Sequence, residues 1–238
     1  MYFLGTSASV PTRERNMTSV VLRLMPARGV SWMVDCAEGT QHQILRSPLQ
    51  LPKIEKLFVT HLHGDHIYGI PGLLSSRAMQ QATQPFTVYG PVGIRRYVED
   101  MLGTREALFP YPLQIEEVAP GVVFEDFEWV VTAERLDHGI ESYGYRFQEK
   151  DRPGHIDEHQ LEVLGIPKGP HLRDLKEGRA ITLPDGRTIV SAQVVGPSIP
   201  GRAVVICGDT RPTPQTVELA RGADVLVHEA TFCASEQE

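Results

Sequence analysis

Three cysteines in 238 residues, Cys36, Cys207 and Cys233, are too few and too scattered for a disulfide framework. Neighbours such as Val205-Ile206 mark them as buried free thiols of a reducing compartment. No apolar run approaches the roughly 20 residues that span a bilayer. The start, Met1-Tyr2-Phe3-Leu4-Gly5, lacks a basic region followed by a long apolar stretch, so no signal peptide is expected and a soluble cytoplasmic protein is. A basic surplus is missing too. Lys and Arg number 23 against 30 Asp and Glu, a net charge of -7 that excludes a surface gripping polyanions everywhere. A nucleic-acid enzyme with a local patch survives that test, because a bound metal can hold phosphate on an acidic surface. No repeat of fixed period is visible, which removes solenoids.

What is present is ordinary globular sequence, 41% hydrophobic and 22% charged, long enough for one large domain or two small ones. Short apolar runs at Met1–Leu4, Thr18–Leu24, Ser31–Val34, Pro85–Pro91 and through Leu113–Val131 read as strands. Leu73–Gln81 and Val92–Leu102 read as helices, the second with Ile94, Val98, Met101 and Leu102 on one side. A further helix is expected through His42 and Leu45, with His42 an ordinary helix residue. The alternation predicts an α/β or α+β class. From about Gln148 to Arg187 the chain turns polar and rich in Gly and Pro, between strands at Tyr143–Phe147 and Ala203–Cys207. That segment, weak in core residues, is expected to project as a flexible arm or lid, with His155, His159 and His171 on its surface.

Three of the nine histidines fall within His61-Leu62-His63-Gly64-Asp65-His66, directly after the strand-forming run Lys56–Thr60. On an extended segment His61 and His63 share a face and can bind one ion together. A sharp turn at Gly64 would aim Asp65 and His66 at an adjacent position suited to a second. Other strand ends offer further donors: Asp35, His138 after Leu136-Asp137, Asp209 in Gly208-Asp209-Thr210, and His228-Glu229. Asp35 can cap a helix, orient a loop, or support a metal ligand from behind. The small-residue loop Gly5–Ser9 allows close backbone approach to a ligand, or is a plain tight turn.

The histidine cluster resembles the signature of the metallo-β-lactamase superfamily. With Phe3–Ala8, Pro11, Arg15-Asn16, Asp35–Gln41, Gly208–Thr210 and His228–Thr231, the chain is similar to the ribonuclease Z family of tRNA 3′-processing endonucleases, in its bacterial ribonuclease BN form. The likeness implies a four-layer αββα sandwich over residues 1–238, with residues 148–187 as an inserted arm that holds tRNA. It implies two Zn2+ per subunit, the first on His61, His63 and His138, the second on Asp65 and His66, with Asp209 bridging. Asp65 doubles as general base, Asp35 supports the ligands from behind, and His228 is not a ligand. Glu229 would orient a catalytic histidine further on. Precursor tRNA is the implied substrate, with possible exonuclease action and a homodimer in which each arm serves the other site.

The sequence departs from the family at its end. No histidine follows His228, whereas the family carries a leaving-group histidine and a last second-metal ligand beyond this point. A C-terminally truncated domain with a weakened second site is therefore expected. Two rivals share parts of the pattern. One is a superfamily hydrolase of small esters, thioesters or lactams, which needs no arm. The other is a non-catalytic metal- or RNA-binding protein.

Overall fold

The computed structural model describes residues 1–24, 29–103 and 109–231. Six strands form one sheet in sequence order: β1 (Tyr2–Gly5), β2 (Ser19–Leu24), β3 (Val30–Val34), β4 (Ile54–Phe58), β5 (Phe86–Gly90) and β6 (Leu113–Glu117). The first two junctions are antiparallel and the remaining three parallel. The largely apolar sequence of β5 follows from burial on both faces, which it shows at every residue. A second sheet comprises β7 (Gly121–Glu125), β8 (Trp129–Leu136), β9 (Ser142–Glu149), β12 (Ala203–Cys207) and β13 (Val225–Val227), in the order β13-β12-β9-β8-β7; β10 and β11 belong to the unit described below.

Aromatic side chains fill the space between the two sheets. Trp32, Phe58 and Tyr89 from the first meet Phe124, Tyr145 and Phe147 from the second, with Phe58 stacked on Tyr89 at 4.8 Å and edge-on to Phe147 at 5.1 Å. Helices α1 (Thr40–Leu45), α3 (Ile70–Met79) and α4 (Ile94–Leu102) cover the outer face of the first sheet. There Ile44, Leu73, Ile94 and Val98 share one core with Met33, Leu57 and Val88. On the second sheet Gly144 and Arg146 point away from the aromatic layer and receive α7 (Pro214–Ala220): a Cβ on Gly144 would lie 2.7 Å from Leu219, and Arg146 donates to the carbonyls of Leu219 and Arg221. The layers run α, β, β, α. Within α4 the buried stripe follows Ile94, Val98 and Leu102, and Met101 lies past its edge, 55% exposed, contrary to expectation.

Residues 127–129 and 148–202 form a separate compact unit, which reaches beyond the expected arm limit of Arg187. It holds α5 (Glu158–Leu164), α6 (His171–Lys176) and a hairpin of β10 (Ile181–Thr182) with β11 (Thr188–Ile189). Asp157 caps α5 by accepting the Gln160 N–H at 3.1 Å, and Gly165 at φ 66 ends it. Leu161, Ile166, Leu175, Leu183, Ile189 and Val194 pack as its own core, more than the polar sequence suggests, because these residues are spread singly between turns. His155 and His159 are exposed, while His171 is half-buried against the Pro167 carbonyl.

Cys36 is buried and Cys207 half-buried, both as free thiols; Cys233 lies outside the described residues. Among the described residues no helix is long and apolar enough to cross a membrane. Trp32 is fully buried in the aromatic layer, so Trp32→Ala should lower unfolding stability by about 3–5 kcal/mol. Chemical denaturation measures this, and a loss below about 1 kcal/mol would refute the account of the inter-sheet core.

Candidate metal centre

The first sheet delivers the histidine cluster at the end of β4, and the second delivers His138 and Asp209 just after β8 and β12. Crosslinks set the loops. Asp137 donates its N–H to Thr210 Oγ1 at 3.2 Å, Arg211 donates its N–H to the Asp137 carbonyl at 2.7 Å, and Ser142 Oγ donates to the Asp209 carbonyl at 3.0 Å. The loops that carry His138 and Asp209 are thereby tied together although far apart in sequence.

Behind the cluster sits Asp35, 1% exposed and in the left-handed backbone region at φ 56. Its Oδ1 accepts the Thr60 N–H at 2.7 Å. Its Oδ2 accepts the Thr60 hydroxyl at 2.8 Å and meets His66 Nδ1 at 2.7 Å. Asp35 therefore supports the site and caps no helix; the N-cap of α1 is Gly39, with no side-chain cap. The bonds fix both imidazoles. Thr60 gives its one hydroxyl proton to Asp35, so its oxygen accepts from His61 Nδ1, 3.0 Å away. His61 Nε2 is then left as a lone pair. His66 Nδ1 donates to Asp35, and its Nε2 likewise turns toward the site.

Two groups of donors result. Ligand atoms of His61, His63 and His138 lie within 4.8 Å of one another, and so do those of His61, His66 and Asp209. His63 Nδ1 faces His138 Nε2 at 3.2 Å. Asp209 spans the second group, with Oδ1 3.4 Å from His66 Nε2 and Oδ2 3.9 Å from His61 Nε2. Asp65 stands at its edge: Oδ2 is 3.7 Å from His66 Nε2 and accepts the Ser9 N–H at 2.9 Å. Gly64 does not act through a left-handed turn. It opens a one-turn helix, α2 (Gly64–Ile67), and a Cβ there would lie 2.2 Å from the Tyr68 ring.

The environments split the histidines. Burial, with the neighbouring His66 imidazolium, lowers the pKa of His61 to about 4, so its ring is neutral at physiological pH. Burial also opposes the charged form of His66, but the carboxylates of Asp35 and Asp209 outweigh it and raise its pKa to about 10. Burial works against the ionised Asp209, yet contact with His66 and His61 holds its pKa below the ordinary carboxylate value.

Whether a cation fits can be judged from the donors. His61 Nε2 is buried with no hydrogen-bond partner among the described residues, a costly state for a polar atom unless something binds it. Imidazole nitrogens and carboxylate oxygens converging at strand ends are the donor set of zinc and similar divalent ions. The residues fit. A cavity of about 410 Å³ opens beside them, bordered by Arg15, Asp65, His66, Asp209, His228 and Glu229. His228 Nδ1 contacts the Glu229 carbonyl, and the Glu229 carboxylate accepts from Thr210 N and Thr231 Oγ1. Thr60, Thr210 and Ser9 are the supports that sequence reading missed. Their partners are set by tertiary contact, and only the small-residue loop around Ser9 left a trace.

Removing the carboxylate behind the cluster tests this arrangement. Asp35→Ala should weaken zinc binding about 10–100-fold, read by competition with a chromophoric chelator on protein whose circular dichroism is unchanged. Native affinity in that variant would show that Asp35 does not orient the ligands.

A family model described as Anti-Pycsar protein Apyc1 matches residues 1–102, less than half the chain. Ribonuclease BN of Erwinia tasmaniensis is 50% identical over 238 residues, covering 100% of this chain and 78% of its relative. Ribonuclease Z of Bacillus licheniformis is 50% identical with the same coverage. Among solved structures, the short form of human tRNase Z superposes with a TM-score of 0.70 at 29% identity, over 98% of this chain and 79% of that one. The metallo-β-lactamase fold protein YhfI of Bacillus subtilis, at 14% identity and a TM-score of 0.62 over 98% of this chain and 72% of that one, shares the fold. Half of all positions, from the first residue to the last, are thus shared with curated ribonucleases, and the chain belongs to the ribonuclease Z family.

Proposed function

We propose that this chain removes 3′ trailers from precursor tRNA by hydrolysing one phosphodiester at a two-zinc site. One observation carries the reading: two donor groups share His61, and in the second of them Asp209 turns one carboxylate oxygen toward His66 and the other toward His61. His61, His63 and His138 would hold one zinc, Asp65 and His66 the other, and Asp209 both. Bound there, two divalent cations supply Lewis acidity to phosphate oxygens and acidify water enough for attack near neutral pH.

The chain's own side chains do the rest. Asp65, 15% exposed at the cavity edge, accepts the proton of the attacking water as general base. His61 and His66 present Nε2 because Thr60 and Asp35 occupy their Nδ1 atoms. Water adds at phosphorus and the bond from phosphorus to the 3′-oxygen breaks, that oxygen taking up a proton from solvent while Asp65 holds the one from the attacking water. The products are a tRNA 3′-hydroxyl and a trailer that keeps the phosphate at its 5′ end. The free thiols Cys36 and Cys207 suit a cytoplasmic enzyme, and the proposed assembly is the family's homodimer.

Residues 148–187 are proposed as the tRNA-holding arm. Over that span Lys and Arg number seven against eight Asp and Glu, and from Lys168 to Arg187 five against three. Within the unit Lys168 pairs with Glu158, Arg173 with Glu177, and Arg179 with Asp174 and Glu177. These pairs are exposed and weak, so phosphates can exchange for the acids.

Two outcomes are expected. Asp65→Ala or His63→Ala should each reduce cleavage of precursor tRNA by about 10²–10⁴-fold, measured by trailer release on gels; near-native cleavage by either would refute the site assignment. Neutralising Lys168, Arg173 and Lys176 together should weaken tRNA binding and flatten its salt dependence, while hydrolysis of bis(p-nitrophenyl) phosphate is retained. An unchanged salt slope would remove the arm from tRNA binding.

A further inference from the structure

Asp65 is the one carboxylate inside the histidine loop, and it is held from outside that loop. Its Oδ2 accepts the backbone N–H of Ser9 at 2.9 Å across 56 residues of sequence. The same oxygen lies 3.7 Å from His66 Nε2. Ser9 reaches this position at φ 57, a backbone region that residues other than glycine seldom occupy. Its neighbours hold it there. Thr6 and Ser7 both donate their N–H groups to the Asn16 carbonyl at 2.9 Å, and Ser7 Oγ donates to the Val10 carbonyl at 2.7 Å. Asn16 in turn donates from Nδ2 to the Glu38 carbonyl at 2.9 Å. At the base of the loop a Cβ on Gly5 would fall 1.8 Å from the Met17 carbonyl oxygen, so no side chain fits. Clamped on Asn16 and anchored to the residues before α1, the loop presents the Ser9 amide at its tip. Thr6, Ser7 and Ala8 line the cavity beside Asp65, where larger side chains would fill the space.

We propose that Ser9 is a positioning residue for Asp65: its N–H fixes the carboxylate so that one oxygen stays directed toward His66. This rests on the reading of Asp65 as ligand and general base. An N–H bond to an ionised carboxylate is shorter and stronger than a neutral one. A carboxylate near the start of a one-turn helix, otherwise free to change rotamer, thereby keeps one orientation. The amide and not the hydroxyl does this, so the side chain of Ser9 is replaceable while its N–H is not.

Three variants separate the possibilities. Ser9→Pro removes the N–H, Ser9→Gly keeps it and suits the left-handed backbone, and Asp65→Ala removes the acceptor. Ser9→Pro should lower kcat on precursor tRNA about 10–100-fold with KM changed less than about threefold, and weaken zinc binding in chelator competition by a similar factor. Ser9→Gly should restore both. In 15N-labelled apo protein the Ser9 amide proton should move upfield in Asp65→Ala relative to the parent chain. That reading does not depend on activity or on how well Ser9→Pro folds. An unmoved Ser9 resonance, or a Ser9→Gly variant as impaired as Ser9→Pro, overturns the inference. Full cleavage by Asp65→Ala would sink the reading of Asp65 itself. Inactive Asp65→Ala beside fully active Ser9→Pro would sink this inference alone.

Discussion

Burying a carboxylate at 1% exposure is expensive unless both oxygens are hydrogen-bonded, and Asp35 finds three donors. That requirement joins the end of β3 to the end of β4 and to the helix turn that carries His66. The surrounding backbone follows the same path. Asp35 N–H donates to the Phe58 carbonyl, Cys36 N–H to that of His66, and Gly69 N–H to that of Cys36. The last approach is so close that a Cβ on Gly69 would lie 2.0 Å from the Ala37 carbonyl oxygen. Loops 35–37 and 60–69 are therefore one interlocked piece, and the donor groups inherit their rigidity from it.

From that piece the chemistry divides without any change of residue type. His61 and His66 have rings 4.0 Å apart, centre to centre, yet burial and its neighbour drive one toward neutrality while two carboxylates drive the other toward charge. Both end with Nδ1 engaged and Nε2 available. For His66 the carboxylates that favour its proton in the bare protein are the same groups that orient it, so a cation must displace a proton to use Nε2. Orientation and acidity are set by one set of contacts.

Much of this was legible in the sequence for a local reason. Central strands buried on two faces must be largely apolar, so β3, β5 and β12 announce themselves by their apolar runs, while β9 does so by alternation. Two histidines two apart on extended backbone must share a face, and the structure places their rings 4.8 Å apart. What the sequence hid is whatever depends on distant partners. Asp35 offers no sign that its donors are Thr60 and His66, since a strand-end aspartate can cap a helix equally well. Ser9 and Asp65 meet across 56 residues, and a small-residue loop looks the same whether or not its amide is used. Gly64 reads as a turn residue, but its reason is the Tyr68 ring that lies where a Cβ would be. The core of the 148–202 unit was obscured because its apolar residues come singly, with no helical or strand period long enough to stand out.

A chain of net charge -7 that acts on a polyanion needs its attraction to be local. The candidate centre meets that need by a different route from a basic patch. His61 is neutral and His66 is tied to Asp35 and Asp209, so without cations this donor group offers phosphate little. With divalent charge held there, the balance would reverse at that point. Cations elsewhere, such as Arg173 and Arg179 on their acids, are oriented on exposed, exchangeable pairs. On the proposed reading, charge for catalysis would come from bound cations and affinity for RNA from exchangeable surface pairs, so one phosphate can be held firmly on a chain that is acidic overall.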